Sequence, residues 1–293
     1  MRGLLEGELS LTLDIIFGLV IGEVIIRLGV AEFLLKKFSR LKIPPVTALA
    51  VALSAGSSKT GAAVIAQALE RDQISERVAV WSVLMLPFPS YLRRWPGTFA
   101  LAVGMAGRAG AFFALSLMLR SAARFLWAYA VIRNEKENFS AASEPLKEIS
   151  THSQTKILRK LARTLPYAWI FFALSYSLVP MMNKFFETNM KLLSFMPLAG
   201  WTVAAGSVAH VSSALALAGG ALASGELDPA QAAFALILGS GLGTATRILR
   251  QNAGYYFGFF PPAMAKRLLV MNFATIMPLI LLNVILAALA LLI

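Results

Sequence analysis

The sequence predicts an all-α polytopic membrane protein made of two inverted-topology repeats with interrupted, re-entrant helices. Three observations predict it. The 293 residues are 58% hydrophobic and only 14% charged, whereas soluble domains are about a quarter charged. Apolar runs near 10–34, 98–119, 164–182 and 268–293 reach the ~20 residues that an α-helix needs to cross ~30 Å of hydrocarbon. The order of features in the first half also recurs in the second, with Arg94 falling on Arg247 at an offset of 247 − 94 = 153. The apolar runs are continuous rather than alternating, which argues against a β-barrel.

The first span follows "MRGLLEGELS" and carries Asp14, Glu23 and Arg27. It is longer and more charged than the apolar core of a cleavable signal, so it reads as a retained span. Glu23 and Arg27 stand four apart and neutralise each other. Asp14 lies near the outer interface, with a coupling-ion role as the alternative. "KKFSRLK" follows, with Lys36, Lys37, Arg40 and Lys42, and "KILRKLAR" (Lys156, Arg159, Lys160, Arg163) precedes the 164–182 span. The net charge of +12 therefore sits beside apolar spans, the positive-inside pattern of a chain on an anionic leaflet and not that of a nucleic-acid binder. The first span should run outside to inside and the second half should open inside to outside, so the halves are inverted.

Residues 133–163, polar and mixed in charge, read as a cytoplasmic linker between membrane halves 1–132 and 164–293. Sliding the halves by 153 lays "ALERDQISERVAVWSVLMLPFPSYLRR" on "ALASGELDPAQAAFALILGSGLGTATR". Both stretches run through Ala-Leu, a polar turn, an apolar helix, a Pro- or Gly-rich patch and an arginine.

Four stretches carry the candidate chemistry. "GSSKTG" (56–61) interrupts an apolar segment. It lacks the full phosphate-loop pattern, because Lys59 follows Ser58 and no strand precedes it. Ser57, Ser58, Lys59 and Thr60 read in either of two ways. They form a helix break whose new N-terminus and lysine suit an anion or polar solute, or a re-entrant tip where Lys59 reaches interfacial water. The counterpart, "AAGSVAHVSSALALAGGALASG", offers Ser207, His210 and Ser212 as cavity-lining residues. His210 is either a proton-coupled group or a neutral hydrogen-bonder between helices. Residues 214–223 suit close helix packing.

"LPFPSYLRRWPG" (86–97) and "GSGLGTATRILRQNAG" (239–254) are the other two stretches. Proline removes a donor and clashes, while glycine relaxes the helix, so each patch should leave unwound backbone followed by an arginine. Ser90, Arg94, Thr244, Thr246, Arg247 and Asn252 are the expected ligands, guanidinium groups favouring carboxylate or phosphate. Arg93 and Arg250 read as interfacial flanks, and Arg108 has no assigned role.

With no cysteine, disulfides, thiolate metal sites and cysteine nucleophiles are excluded. There is no HExxH, no GxSxG and no carboxylate pair in a broken segment, and His152 lies in the linker. Enzymatic catalysis is not expected, nor a metal or other cofactor, although a coupling proton or sodium ion fits.

The stretch "SAGSSKTGAAVIAQALERDQISERVAVWSVLMLPFPSYLRRWPGTFAL" resembles the nucleoside-recognition, or Gate, domain family. That family includes the membrane gates of ferrous-iron transporters and the spore-maturation membrane proteins, and its fold is similar to that of concentrative nucleoside transporters. The resemblance implies paired gates around a central pathway. The chain departs from the iron-transporter pattern in lacking cysteines near the breaks and a GTPase domain.

Residues and resemblance together give the expected function: a secondary-type transporter in the cell membrane, multi-pass, working by alternating access. Its substrate is a polar solute, anionic or nucleoside-like, or a phosphate-bearing lipid. The alternative is a non-transporting membrane scaffold, or a gate subunit of a larger complex docked through 133–163. The bilayer is the expected partner, and a homo-oligomer is compatible with these features.

Overall fold

A computed structural model describes residues 43–135 and 196–289, with isolated positions 166, 169, 170 and 184. The expected first span, the basic loop after it, the linker beyond Glu135 and nearly all of the 164–182 span lie outside the described residues. So does the charge pattern that sets the expected orientation.

The described residues are helical and contain no strand. Two stretches, Glu76–Arg133 and Pro262–Leu289, are long and apolar enough to cross a membrane. Both present large apolar side chains outward: Leu119 is 67% exposed, Leu126 60%, Val270 64% and Leu281 60%.

The first run of helices is α1 (Pro45–Ser54), α2 (Ser58–Glu70) and α3 (Glu76–Met85). Pro45 opens α1 in the first turn, where its missing N–H would have had no intrahelical partner. The Ser57 side chain caps α2. Ser75 caps α3 by accepting from the Val78 N–H at 3.3 Å, and Glu76 in the first turn complements the helix dipole. Helix α4 (Pro87–Arg133) follows.

The second run is α5 (Leu198–Ala209), α6 (Val211–Ala223) and α7 (Pro229–Arg247). Asp228 Oδ1 accepts from the Gln231 N–H at 2.8 Å, and Gln231 Oε1 accepts from the Asp228 N–H at 3.2 Å. This reciprocal cap starts α7. A π-helical turn, Ile248–Ala253, leads into α8 (Gly254–Phe259), and α9 (Pro262–Leu289) ends the described chain.

The two runs start at matched positions. Their helices begin at 45, 58 and 76, and at 198, 211 and 229, each pair differing by 153. The positions before them, Pro44, Ser57 and Ser75, match Pro197, His210 and Asp228 at the same offset. The turn after α2 places Asp72 at φ 55, and that after α6 places Gly225 at φ 75, again 225 − 72 = 153.

Two compact units divide the chain. The first comprises Met1–Arg93, Ala122–Phe172 and Gln251–Asn272; the second comprises Arg94–Ser121, Ala173–Arg250 and Phe273–Ile293. Each therefore takes segments from both expected halves of the sequence. In the first unit Leu49, Ile65, Leu84, Met85, Ile132, Tyr256 and Phe260 are fully buried in one apolar cluster. Thr47 and Ser82, both fully buried, join α1 to α3 by a hydrogen bond of 2.8 Å between their hydroxyls. In the second unit Phe113, Leu215 and Leu236 are fully buried, and α7 packs on α5 through glycines.

Two expected interruptions are absent. The proline patch 86–97 lies largely within helix, because Pro87 begins α4 where no intrahelical donor is needed and Pro96 sits inside it. The glycine patch 239–243 is continuous α7. There the glycines allow close approach: a Cβ on Gly239 would stand 2.5 Å from the Ala204 carbonyl oxygen, and one on Gly243 2.9 Å from that of Ser207. The backbone instead breaks inside α4, at Ala106 and Gly107 (φ 54), and loosens into the π-helical turn after Arg247.

Candidate functional site

The expected break near 57 exists. α1 ends at Ser54, and the N–H groups of Gly56 and Ser57 bond back to the Leu53 carbonyl at 3.0 and 3.3 Å. Ser57 turns extended (φ −155, ψ 128), and its Oγ accepts from the Lys59 N–H at 3.3 Å. Its carbonyl accepts from the N–H groups of Thr60 and Gly61. One residue thus satisfies three donors at the start of α2. The arms of the break fold against each other, since a Cβ on Gly61 would stand 2.5 Å from the Ala50 carbonyl oxygen. Ser57, Ser58 and Lys59 are half-buried, and Thr60 is buried.

The second break has the same plan. His210 turns extended (φ −158, ψ 143), and its side chain accepts from the Ser212 N–H at 3.3 Å through Nδ1. A nitrogen that accepts from a backbone N–H carries no proton, so the Ser212 hydroxyl, 2.6 Å away, donates to it and a neutral ring keeps its proton on Nε2. His210 is exposed. Ser207, buried, donates from Oγ to the Val203 carbonyl at 3.4 Å. Its own helix therefore holds that hydroxyl, while its carbonyl lies against Gly243.

The arginine patches depart further from expectation. Arg93, read from sequence as a flank, donates from Nη2 to the Gly56 carbonyl at 3.3 Å and so reaches the first break. Arg94 is exposed on α4, and its carbonyl accepts from the Thr98 hydroxyl. Ser90 is buried. Arg247 donates from Nη2 to the Ser240 carbonyl at 2.7 Å and to Thr244 Oγ1 at 3.1 Å. Thr244 and Thr246, both buried, donate to the carbonyls of Ser240 and Gly243. These hydroxyls bond back along their own helix, as Ser and Thr commonly do in apolar surroundings. Asn252 is half-buried in the π-helical turn.

A break followed by an arginine does occur, at a place sequence reading passed over. Arg108 follows Ala106 and Gly107. It borders an open cavity of about 410 Å³ lined with Met105, Gly107, Gly219, Leu222 and Pro229. A Cβ on Gly219 would stand 2.1 Å from the Met105 carbonyl oxygen, so α6 approaches the broken stretch at backbone distance. The signal available in the sequence was "GMAGRAG", in which glycines flank a lone charge.

No family model matches the chain. An uncharacterized protein of Methanocaldococcus jannaschii is 22% identical over 246 residues, covering 80% of this chain and 77% of its own length. No solved structure matches.

Proposed function

We propose that this chain is a multi-pass cell-membrane transporter of secondary type that moves a polar solute by alternating access. The observation that carries the reading is the pair of capped helix breaks at Ser57 and His210, 153 residues apart. In a bilayer, backbone leaves the helix only where protein or a water-filled cavity satisfies it. Paired interrupted helices are the usual means by which secondary transporters present helix termini to a substrate. The outward apolar side chains of the two long helices support a lipid setting.

In this reading the two runs are inverted repeats of a Gate-like unit, and each break presents a helix start to the substrate. Lys59, Arg94 and Arg247, beside few carboxylates, favour an anionic or nucleoside-like solute or a phosphate-bearing lipid. Arg247 enters already held by Ser240 and Thr244, an arrangement that preorganises a guanidinium for an oxyanion. The Ser57 and His210 caps fix where each second helix begins.

Thermal-shift screening of the purified protein against nucleosides, nucleotides, organic acids and prenyl phosphates should find a class that raises the melting temperature by mass action. Proteoliposomes should then take up that class. The Arg94→Ala, Arg247→Ala double variant should lose most of the uptake while keeping its melting temperature in ligand-free buffer within a few degrees. Unchanged uptake in the double variant would remove the anion site, and absence of uptake for every class would remove transport.

A further inference from the structure

The first unit holds a charge that no expected site includes. Arg124, on the last stretch of α4, is only 7% exposed. Its Nε and Nη2 are buried and have no hydrogen-bond partner among the described residues. Those two N–H groups lie on the same edge of the guanidinium and point the same way. That edge is the fork that grips two oxygens of a carboxylate or phosphate.

Polar side chains stand near it. The Tyr255 and Tyr256 phenols are the electrostatic neighbours of Arg124. Their rings stack edge to face, with centroids 4.6 Å apart. Asn272 Nδ2 donates to the Tyr256 hydroxyl at 3.2 Å. Tyr256 is fully buried and Asn272 is 1% exposed. No carboxylate pairs with Arg124 among the described residues: Glu76 meets Arg267 and Glu135 meets Arg77. Aliphatic and aromatic side chains of the unit's core complete the setting.

A guanidinium is not deprotonated in proteins, and burying it without a partner costs several kcal/mol. Inside a membrane segment such a residue marks a functional site by default. Among the described residues neither donor of the fork is met.

We infer that Arg124, with Tyr255, Tyr256 and Asn272 behind it, is a binding site for an oxyanion, a carboxylate or a phosphate group, held side-on by Nε and Nη2. The inference does not rest on the transport reading, since none of these four residues belongs to either helix break. The oxyanion comes either from solution or from the headgroup of an acidic lipid.

The test uses the full-length protein in dodecyl maltoside at constant ionic strength, with chloride as the balancing anion. Inorganic phosphate, acetate and, in mixed micelles, phosphatidic acid are titrated separately, and the melting temperature is read. At least one probe should give a saturable rise. Arg124→Lys, which keeps the charge and loses the planar fork, should move half-saturation at least tenfold higher, and Arg124→Gln should abolish the rise. A response to phosphatidic acid alone supports the site and assigns it to lipid, and a response to phosphate or acetate assigns it to a soluble anion. A flat response of the wild-type protein to all three probes would overturn the inference. So would an unaltered response in Arg124→Lys, the variant that decides if Arg124→Gln does not fold. The readout is binding alone, so failed uptake in proteoliposomes leaves this result standing, and the reverse holds too.

Discussion

Between α1 and α2 the chain takes three residues, 55–57, to leave one helix and enter the next; between α5 and α6 it takes one, His210. The dihedrals at Ser57 and His210 nearly coincide. The caps differ in chemistry, a hydroxyl in one and an imidazole in the other, yet each accepts from the N–H two residues on. What holds the arms together differs more. In the first break Gly61, on the second arm, lets the arms meet at the Ala50 carbonyl; in the second, Gly206, on the first arm, lies against Leu217 and Ala214. The first unit adds the buried Thr47–Ser82 bond, whereas the corresponding positions of the second, 153 residues on, are Gly200 and Ala235. Backbone geometry at a helix start is set by a few local rules that several side chains satisfy. Contacts across the break depend on what faces it, and so they diverge.

Substitutions at the glycines should separate the two breaks most. Gly61→Ala drives its Cβ into backbone and should cost about 2 kcal/mol, read as a lower melting temperature in detergent. Gly206→Ala presses closely only on the tip of Leu217, with the Ala214 backbone at ordinary contact distance, and should cost less than about 0.5 kcal/mol, because alanine is the better helix former. Equal losses would mean that the arms are held alike in both breaks.

Thr47→Ala should cost about 1–3 kcal/mol by leaving the Ser82 hydroxyl buried and unpaired. Adding Ser82→Ala should recover part of that, and a fully additive double variant would show that the hydroxyl pair contributes nothing. The caps come next. Ser57→Ala and His210→Ala should each cost about 1 kcal/mol, and His210→Asn, which keeps an acceptor, should cost less than His210→Ala. If His210→Asn were as harmful as the alanine variant, the imidazole would be doing something other than capping.

The smallest effect belongs to the matched turns. Asp72 and Gly225 share a left-handed backbone, which glycine adopts without strain. Asp72→Gly should raise stability by a few tenths of a kcal/mol, while Gly225→Asp should lower it by up to about 1 kcal/mol. Opposite signs in thermal melts are the expected signature.

Much of this was legible from residue order alone. The offset of 153 came from aligning Arg94 with Arg247, and it also aligns three helix starts and a turn that played no part in choosing it. The break at "GSSKTG" was legible because a serine followed by a helix-forming run is a cap signal. The prolines of 86–97 and the glycines of 239–243 misled, because proline and glycine mark a break only when their neighbours leave room for one. Pro87 found a helix start, and Gly239 and Gly243 found partners at backbone distance. Arg124 was missed because "SAARFLWAYAV" resembles any helix with one charge, and nothing local shows whether a guanidinium is buried.

By itself the sequence determined that the described residues are helical, that the stretches around 98–119 and 268–289 are apolar enough to span a bilayer, and that a helix begins just after Ser57. Those properties follow from composition, period and capping, which act over a few residues. Only the tertiary structure decided which glycines hinge and which pack, that Arg93 reaches the first break, and that Arg124 is buried with its fork unmet among the described residues. Each of these depends on side chains brought together from distant parts of the chain, and no window of neighbouring residues contains that information.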